Sequence, residues 1–293
     1  MRRVGIIGIE NSHTLHFLRH LNTEQLFDDT ACTAILRGTD ERVAELTDGT
    51  ELEVLEQPAD FVGAVDAAII CSRDGALHRE QAEPLLRAGI PVLVDKPLAT
   101  TTSDAQAMVD LAASNDSVLV SASAVRFTPE IAELKAAAAA AGGVAAVSMS
   151  GPADPDSVYS GIFFYGIHTV ETAFELIDQP KAAWDPDSLS VLSEGGVTVA
   201  TTSIGGVPVT LRFVTPDDQG QVPFHAAVFG RHGSAASDLT LGSNYNLPLL
   251  RRFIEALDDP TTNPPLDLVT PITVTEKIRA AVRPDSAAAQ EIR

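Results

Sequence analysis

A lysine that closes a short apolar strand is the clearest chemical feature of this sequence. In Val92-Leu93-Val94-Asp95-Lys96-Pro97-Leu98-Ala99, three apolar residues run into an acid, a lysine and a proline. The carboxyl end of a parallel strand is where ligands bind in open α/β sheets. A lysine there can donate a proton or polarise a carbonyl, and partial burial lowers its pKa towards that task. The turn Gly8-Ile9-Glu10-Asn11-Ser12-His13 is a second candidate, because it joins an apolar strand to a helix. A dinucleotide pyrophosphate sits at such a turn, whose fingerprint is G-x-G-x-x-G. Here Gly8 is present, and Glu10 and His13 stand at the other two glycine positions. A carboxylate at the second position adds a like charge, so the expectation is weak NAD(P) affinity that improves in Glu10→Gly. In Leu36-Arg37-Gly38-Thr39-Asp40, Arg37 stands where an acid for the adenosine ribose is expected. An arginine there suits a 2′-phosphate and points to NADP, although a solvated surface arginine fits equally well. His13, His16 and His20 share one helical face at i, i+3, i+7 spacing, which could ligate a metal. No cysteine lies near them, so a polar helix face is preferred and no metal is assigned.

Elements that could position these residues alternate through the first part of the chain. Val4–Ile7, Ala31–Leu36, Ala67–Cys71, Val92–Val94 and Val118–Ser121 read as short strands, apolar on consecutive residues as in a sheet covered on both faces. Helices are predicted over Ser12–Leu21, Asp40–Leu46, Leu77–Ala88 and Thr102–Ala113. Such alternation implies βαβ units and a parallel sheet. The pattern changes after residue 122. A helix over Pro129–Ala141 is followed by strand-like Val144–Met149, Leu189–Leu192, Val197–Thr202, Val207–Phe213 and Ala226–Phe229. Glycine pairs at 195–196 and 205–206 suit hairpins. Helices are predicted over Ile167–Ile177 and Leu247–Leu257, with a last one near Thr273–Val282. The expected architecture is α/β: a Rossmann-type parallel sheet in residues 1–122, then an α+β domain on a mostly antiparallel sheet in 123–293. The last helix is a candidate to pack back on the first domain, and Asp258–Pro265 reads as a loop rather than a boundary.

Four landmarks carry a family resemblance. Asp95-Lys96-Pro97-Leu98-Ala99 resembles the E-K-P-[LI]-[AS] motif of the Gfo/Idh/MocA family, which includes glucose–fructose oxidoreductase and myo-inositol dehydrogenase. Cys71-Ser72-Arg73-Asp74-Gly75-Ala76-Leu77-His78 resembles its T-P-x-x-x-H turn after the third strand. Val125-Arg126-Phe127-Thr128-Pro129 resembles Y-R-F-x-P, and Gly166-Ile167-His168-Thr169-Val170-Glu171 resembles G-x-H-x-x-D. The resemblance implies NAD or NADP in the first domain and hydride transfer to or from a hydroxyl or keto carbon of a sugar, polyol or related molecule. It implies catalytic roles for Lys96 and His168, and an imidazole suits acid–base work near neutrality. By the same resemblance, Gly8, Ile9, Glu10, Asn11, Ser12, Arg37, Cys71, Ser72, His78, Asp95 and Lys96 are cofactor-binding. Arg126, Tyr165 and Glu171 lie near the substrate. One departure stands out: many members carry an aspartate four residues before the histidine, and here that residue is Phe164. Two alternatives therefore stay open. One is a ligand-binding sensor or scaffold without turnover, and the other is a nicotinamide-independent lyase or hydrolase.

Composition bounds the partners. In 293 residues, 40 acids face 20 bases, giving a formal charge of −20 with histidines neutral. A surface that negative repels phosphate backbones and anionic lipid, which argues against nucleic-acid and membrane partners. Cys32 and Cys71 lie in apolar runs, as buried thiols of a reducing compartment do. No apolar run reaches the roughly 20 residues of a membrane span, and the start is too short for a signal peptide. The expectation is a cytoplasmic homodimer or homotetramer acting on a small molecule.

Overall fold

The computed structural model describes residues 1–177, 183–263 and 265–282. They form two compact units: residues 1–122 with 243–263, and residues 123–177 and 183–242 with 265–282.

The first unit is built by β1 (Arg2–Ile7), α1 (His13–Leu18), β2 (Thr30–Leu36), α2 (Asp40–Thr47), β3 (Glu53–Leu55), β4 (Ala67–Ile70), α3 (His78–Arg87), β5 (Val92–Val94), α4 (Thr102–Ser114) and β6 (Leu119–Ser121). The strands lie in the order β3-β2-β1-β4-β5-β6, and every adjacent pair is parallel. This is the order of the doubly wound Rossmann sheet, with its topological switch between β1 and β4. Strands covered on both faces must be apolar throughout, and they are: Ala67–Ile70 and Val92–Val94 have no exposed side chain. Threonine caps place the helices. Thr39 accepts from the Arg42 N–H at the head of α2, and Thr101 from the Asp104 N–H at the head of α4.

In the second unit come α5 (Pro129–Ala140), β7 (Val144–Pro152), α6 (Phe163–Ile177), β8 (Trp184–Glu194), β9 (Val197–Ile204), β10 (Val207–Val214), β11 (Phe224–Gly230) and β12 (Ser234–Leu239). Their order is β12-β11-β7-β10-β9-β8, antiparallel except for the β7–β10 pair. Helix α6 is buried along most of its length against β7 and β10. Gly166 permits that approach, because a Cβ there would sit 3.0 Å from Ile162 Cγ1 and 3.3 Å from the Phe213 ring. Two more helices follow among the described residues, α7 (Leu247–Asp258) and α8 (Thr270–Val282).

Four expectations are corrected. The first helix keeps α geometry only to Leu18 and continues as a π-helical turn over Arg19–Thr23. Strands β3 and β12 were not foreseen: one has three residues, and the other, Ser-Ala-Ala-Ser-Asp-Leu, is poor in β-formers. The chain does divide inside Asp258–Pro265, with residues up to 263 in the first unit and those from 265 in the second. The helix grouped with the first unit is α7, whereas the last helix, α8, packs on α6 and β8 of the second.

Candidate functional site

The carboxyl ends of β1, β4 and β5 gather most of the predicted cofactor residues of the first unit. Gly8 has φ +91°, and a Cβ on it would lie 2.2 Å from the Ser72 backbone nitrogen. Only glycine lets the turns after β1 and β4 meet backbone to backbone. Asn11 completes the junction: its Nδ2 donates to the Cys71 carbonyl at 2.9 Å, and its Oδ1 accepts the His13 N–H at 3.1 Å. Ile9 is buried, whereas Glu10 and Ser12 are exposed. Glu10 Oε1 accepts the Thr39 N–H at 2.8 Å, so its carboxylate is drawn to the start of α2.

The β4–α3 turn is internally fastened. Ser72 Oγ donates to Gln81 Oε1 at 2.9 Å. Cys71 is fully buried, with its sulfur 3.3 Å from Thr14 Oγ1, and burial pushes its thiol up to about 12. Burial does the same to Cys32, so both cysteines behave as inert core groups. His78 has no exposed surface and lies between the Ser72 and Pro97 carbonyls at 2.9 and 2.7 Å. Burial lowers its pKa against the pull of those two carbonyls, and the neutral ring, with one N–H, donates to one of them. Its place is a clamp joining the β4 turn to the β5 turn, shut off from a ligand.

Asp95 and Lys96 follow β5 and are 2% and 6% exposed. The Lys96–Pro97 peptide is cis. Asp95 Oδ2 lies 2.6 Å from His13 Nδ1, and Tyr245 Oη bonds the other ring nitrogen, Nε2. Burial opposes ionisation of Asp95, but His13 and Lys96 outweigh it and hold the carboxyl well below its usual range. His16 stacks on His13 with 6.0 Å between ring centroids, and both rings meet Tyr245 edge-on at 5.5 Å. His20 is fully buried and bonded to Glu24. The three histidines thus do not converge, and no group of three or more metal-ligating side chains occurs among the described residues. The Tyr245–His13–Asp95 chain is the part of this unit that sequence reasoning missed. Its members are 232 and 82 positions apart, so no local pattern could have linked them.

Arg37 is exposed and occupied. Its Nε donates to both oxygens of Glu56 at 2.7 Å, and its guanidinium lies 3.9 Å from Asp40.

The second unit brings together His168, Tyr165, Glu171 and Arg126 through helix α6. His168 is 5% exposed, with Nδ1 at 2.7 Å from Ser123 Oγ and Phe224 edge-on at 5.3 Å. Glu171 Oε2 accepts the Ser123 N–H at 2.6 Å, so imidazole and carboxylate grip one serine. Arg126 is 7% exposed and paired with Glu171 at 3.5 Å and Glu175 at 3.1 Å, and Lys135 reaches Glu175 at 2.7 Å. Burial raises the Glu175 pKa, but Arg126 and Lys135 bring it below its ordinary value. Arg126 is therefore built into a buried ion network that braces α6. Tyr165 is 41% exposed, with its ring 6.3 Å from His168. Phe164 packs between Tyr159 and Tyr165 and brings no carboxylate. Ser123, the residue that fixes the His168 ring, carries no sequence signal of its own.

A dinucleotide fits the first unit on its own geometry. Gly8, at φ +91°, makes the tight turn that leads from β1 to the helix, and both side chains at the missing glycines are held by partners within the unit, Thr39 and Asp95. Comparison with known proteins agrees. Residues 2–123 match the GFO_IDH_MocA family model, described as an oxidoreductase family with an NAD-binding Rossmann fold. The chain is 29% identical over 119 residues to scyllo-inositol 2-dehydrogenase (NADP(+)) IolU of Bacillus subtilis. That match covers 40% of this chain and only 36%, about a third, of the relative. The fold extends further. Lactobacillus plantarum myo-inositol 2-dehydrogenase superposes with a TM-score of 0.78 at 14% identity, covering 96% of this chain and 97% of that one. GenD2 of gentamicin A biosynthesis, solved in complex with NAD, gives 0.79 at 17% identity, covering 96% and 95%. Likeness at such identity speaks for the fold alone, so the similarity to the Gfo/Idh/MocA oxidoreductase family is carried by residues 2–123, less than half of the chain.

Proposed function

We propose that the protein is an NAD(P)-dependent dehydrogenase that moves hydride between nicotinamide and a hydroxyl or keto carbon of a sugar, polyol or related molecule. The observation that carries this reading is Asp95-Lys96-Pro97 at the carboxyl end of β5, in the same unit as a glycine turn that fits a dinucleotide. The backbone of Gly8–Ser12, with Ser72, would hold the pyrophosphate. When bound, the nicotinamide supplies the hydride acceptor or donor. Lys96, buried beside Asp95, polarises the reacting oxygen in the proposed reaction. His168 handles the proton through Nε2, because Ser123 fixes the ring by Nδ1. Glu171 holds Ser123 and so positions the imidazole, and the exposed Tyr165 hydroxyl is the polar group for substrate. No helix among the described residues is long and apolar enough to cross a membrane.

One observation favours the non-catalytic alternative: Phe164 leaves the expected aspartate of the acid–base set unfilled. Both readings meet in one experiment. Inositols and simple sugars are offered with NAD and with NADP, and nicotinamide absorbance is followed beside direct cofactor binding. Turnover supports the dehydrogenase. Ligand binding without turnover across the panel supports the sensor, and absence of all cofactor binding removes the dehydrogenase.

A further inference from the structure

We infer that Glu10 supplies the adenosine-ribose carboxylate from the glycine turn and thereby selects NAD over NADP; this rests on the dinucleotide reading above. Rossmann sites read the ribose hydroxyl with an acid at the end of the second strand. This chain has Arg37-Gly38-Thr39 there instead. Glu10 nevertheless brings a carboxylate to that strand end, because Oε1 accepts the Thr39 N–H at 2.8 Å. Gly38 makes room for it: a Cβ on Gly38 would lie 2.5 Å from Glu10 Oε1 and 2.8 Å from Ile9 Cγ1. Arg42 secures the same junction by donating from Nε to the Ile9 carbonyl at 2.8 Å.

The carboxylate has capacity left. An ionised Glu offers about four lone-pair sites, and Thr39 uses one of them. Glu10 is exposed, so a vicinal diol can reach it and donate its hydroxyl protons. A 2′-phosphate has no proton of that kind to give and carries like charge. Arg37, the cation that would welcome it, is already bound by Glu56 and flanked by Asp40. The phosphate would thus enter a neighbourhood of the Glu10, Glu56 and Asp40 carboxylates, in which both guanidiniums are engaged, Arg37 by Glu56 and Arg42 by the Ile9 carbonyl and Glu45. This reverses the expectation that Glu10 repels the cofactor: the carboxylate is drawn to the ribose end and away from the role of an obstacle to pyrophosphate. The Bacillus relative is named for NADP(+), and the assignment to NAD comes from this chain's own residues.

The test is a fluorescence or calorimetric titration of the whole protein with NADH and with NADPH. Wild type, Glu10→Gln, Glu10→Gly and Arg37→Ala are compared, each checked for folding by circular dichroism. Wild type should bind NADH on the order of tenfold tighter than NADPH, and both Glu10 variants should lose about that factor for NADH. Equal or tighter NADPH binding by wild type overturns the inference, as does an unchanged preference in the Glu10 variants. Loss of NADPH binding in Arg37→Ala also overturns it. If wild type binds neither nucleotide, the dinucleotide reading falls and the inference with it; if it binds both equally, only the inference falls.

Discussion

Replacing His13 by glycine would restore the third glycine of the nucleotide fingerprint, yet the structure says it should destabilise the protein. His13 Nδ1 lies 2.6 Å from a carboxylate on Asp95, a residue 2% exposed, and the His13 side chain is itself only 13% exposed. Removing one partner of a buried, hydrogen-bonded pair leaves the other charge without compensation, which costs about 3–5 kcal/mol. Lys96 also favours the Asp95 charge, so the low end, about 3 kcal/mol, is the expected loss. For a folding unit of this size, about 2–4 °C of melting temperature goes with each kcal/mol, giving a drop of about 6–12 °C. Urea unfolding at pH 7, followed by circular dichroism, reads this directly. The partner variants sharpen it. Tyr245→Phe removes one hydrogen bond to the ring and should cost about 1 kcal/mol. Asp95→Asn should cost less in the His13→Gly background than in wild type, because the two changes break the same contact. A loss under about 0.5 kcal/mol in His13→Gly, typical of a surface substitution, would refute the reasoning. So would strict additivity of the His13 and Asp95 changes.

Lys96→Met should lower kcat about a hundredfold while leaving NADH affinity within a few-fold; equal turnover removes Lys96 from the mechanism. His168→Asn should lose activity to a similar degree. In wild type, hydroxyl oxidation should fall as pH drops, since a protonated imidazole cannot accept the hydroxyl proton, and a flat profile from about pH 5 to 9 would exclude His168. Burial depresses the His78 pKa, so its contribution to stability is full above the unfolded value of about 6.5 and declines as pH falls below it. His78→Gln should therefore flatten the fall in melting temperature between about pH 7 and 5, and an unchanged slope would contradict that sign.

The alternation of apolar strands and helices through residue 122 was legible in the sequence because both are local, periodic consequences of burial. A strand covered on both faces must be apolar at every residue, as Ala67–Ile70 is. Glycine at position 8 was legible for a related reason: its positive φ and the nearby Ser72 backbone fix what can stand there. Pairing was not legible. Glu10 and His13 read as defects in a glycine pattern, and only the fold shows the first meeting the start of α2 and the second meeting Asp95 and Tyr245. The same holds for Arg126, read as a substrate ligand and found braced between Glu171 and Glu175. It holds too for Ser123, unremarked in the sequence and found holding His168. Strand β12 stayed hidden because its residues have little strand preference, and hydrogen bonding to β11 decides its conformation. Periodicity reports which face of an element is buried; the partner of a charged side chain is set by which distant segments the sheets bring alongside it, and only the tertiary structure decides that.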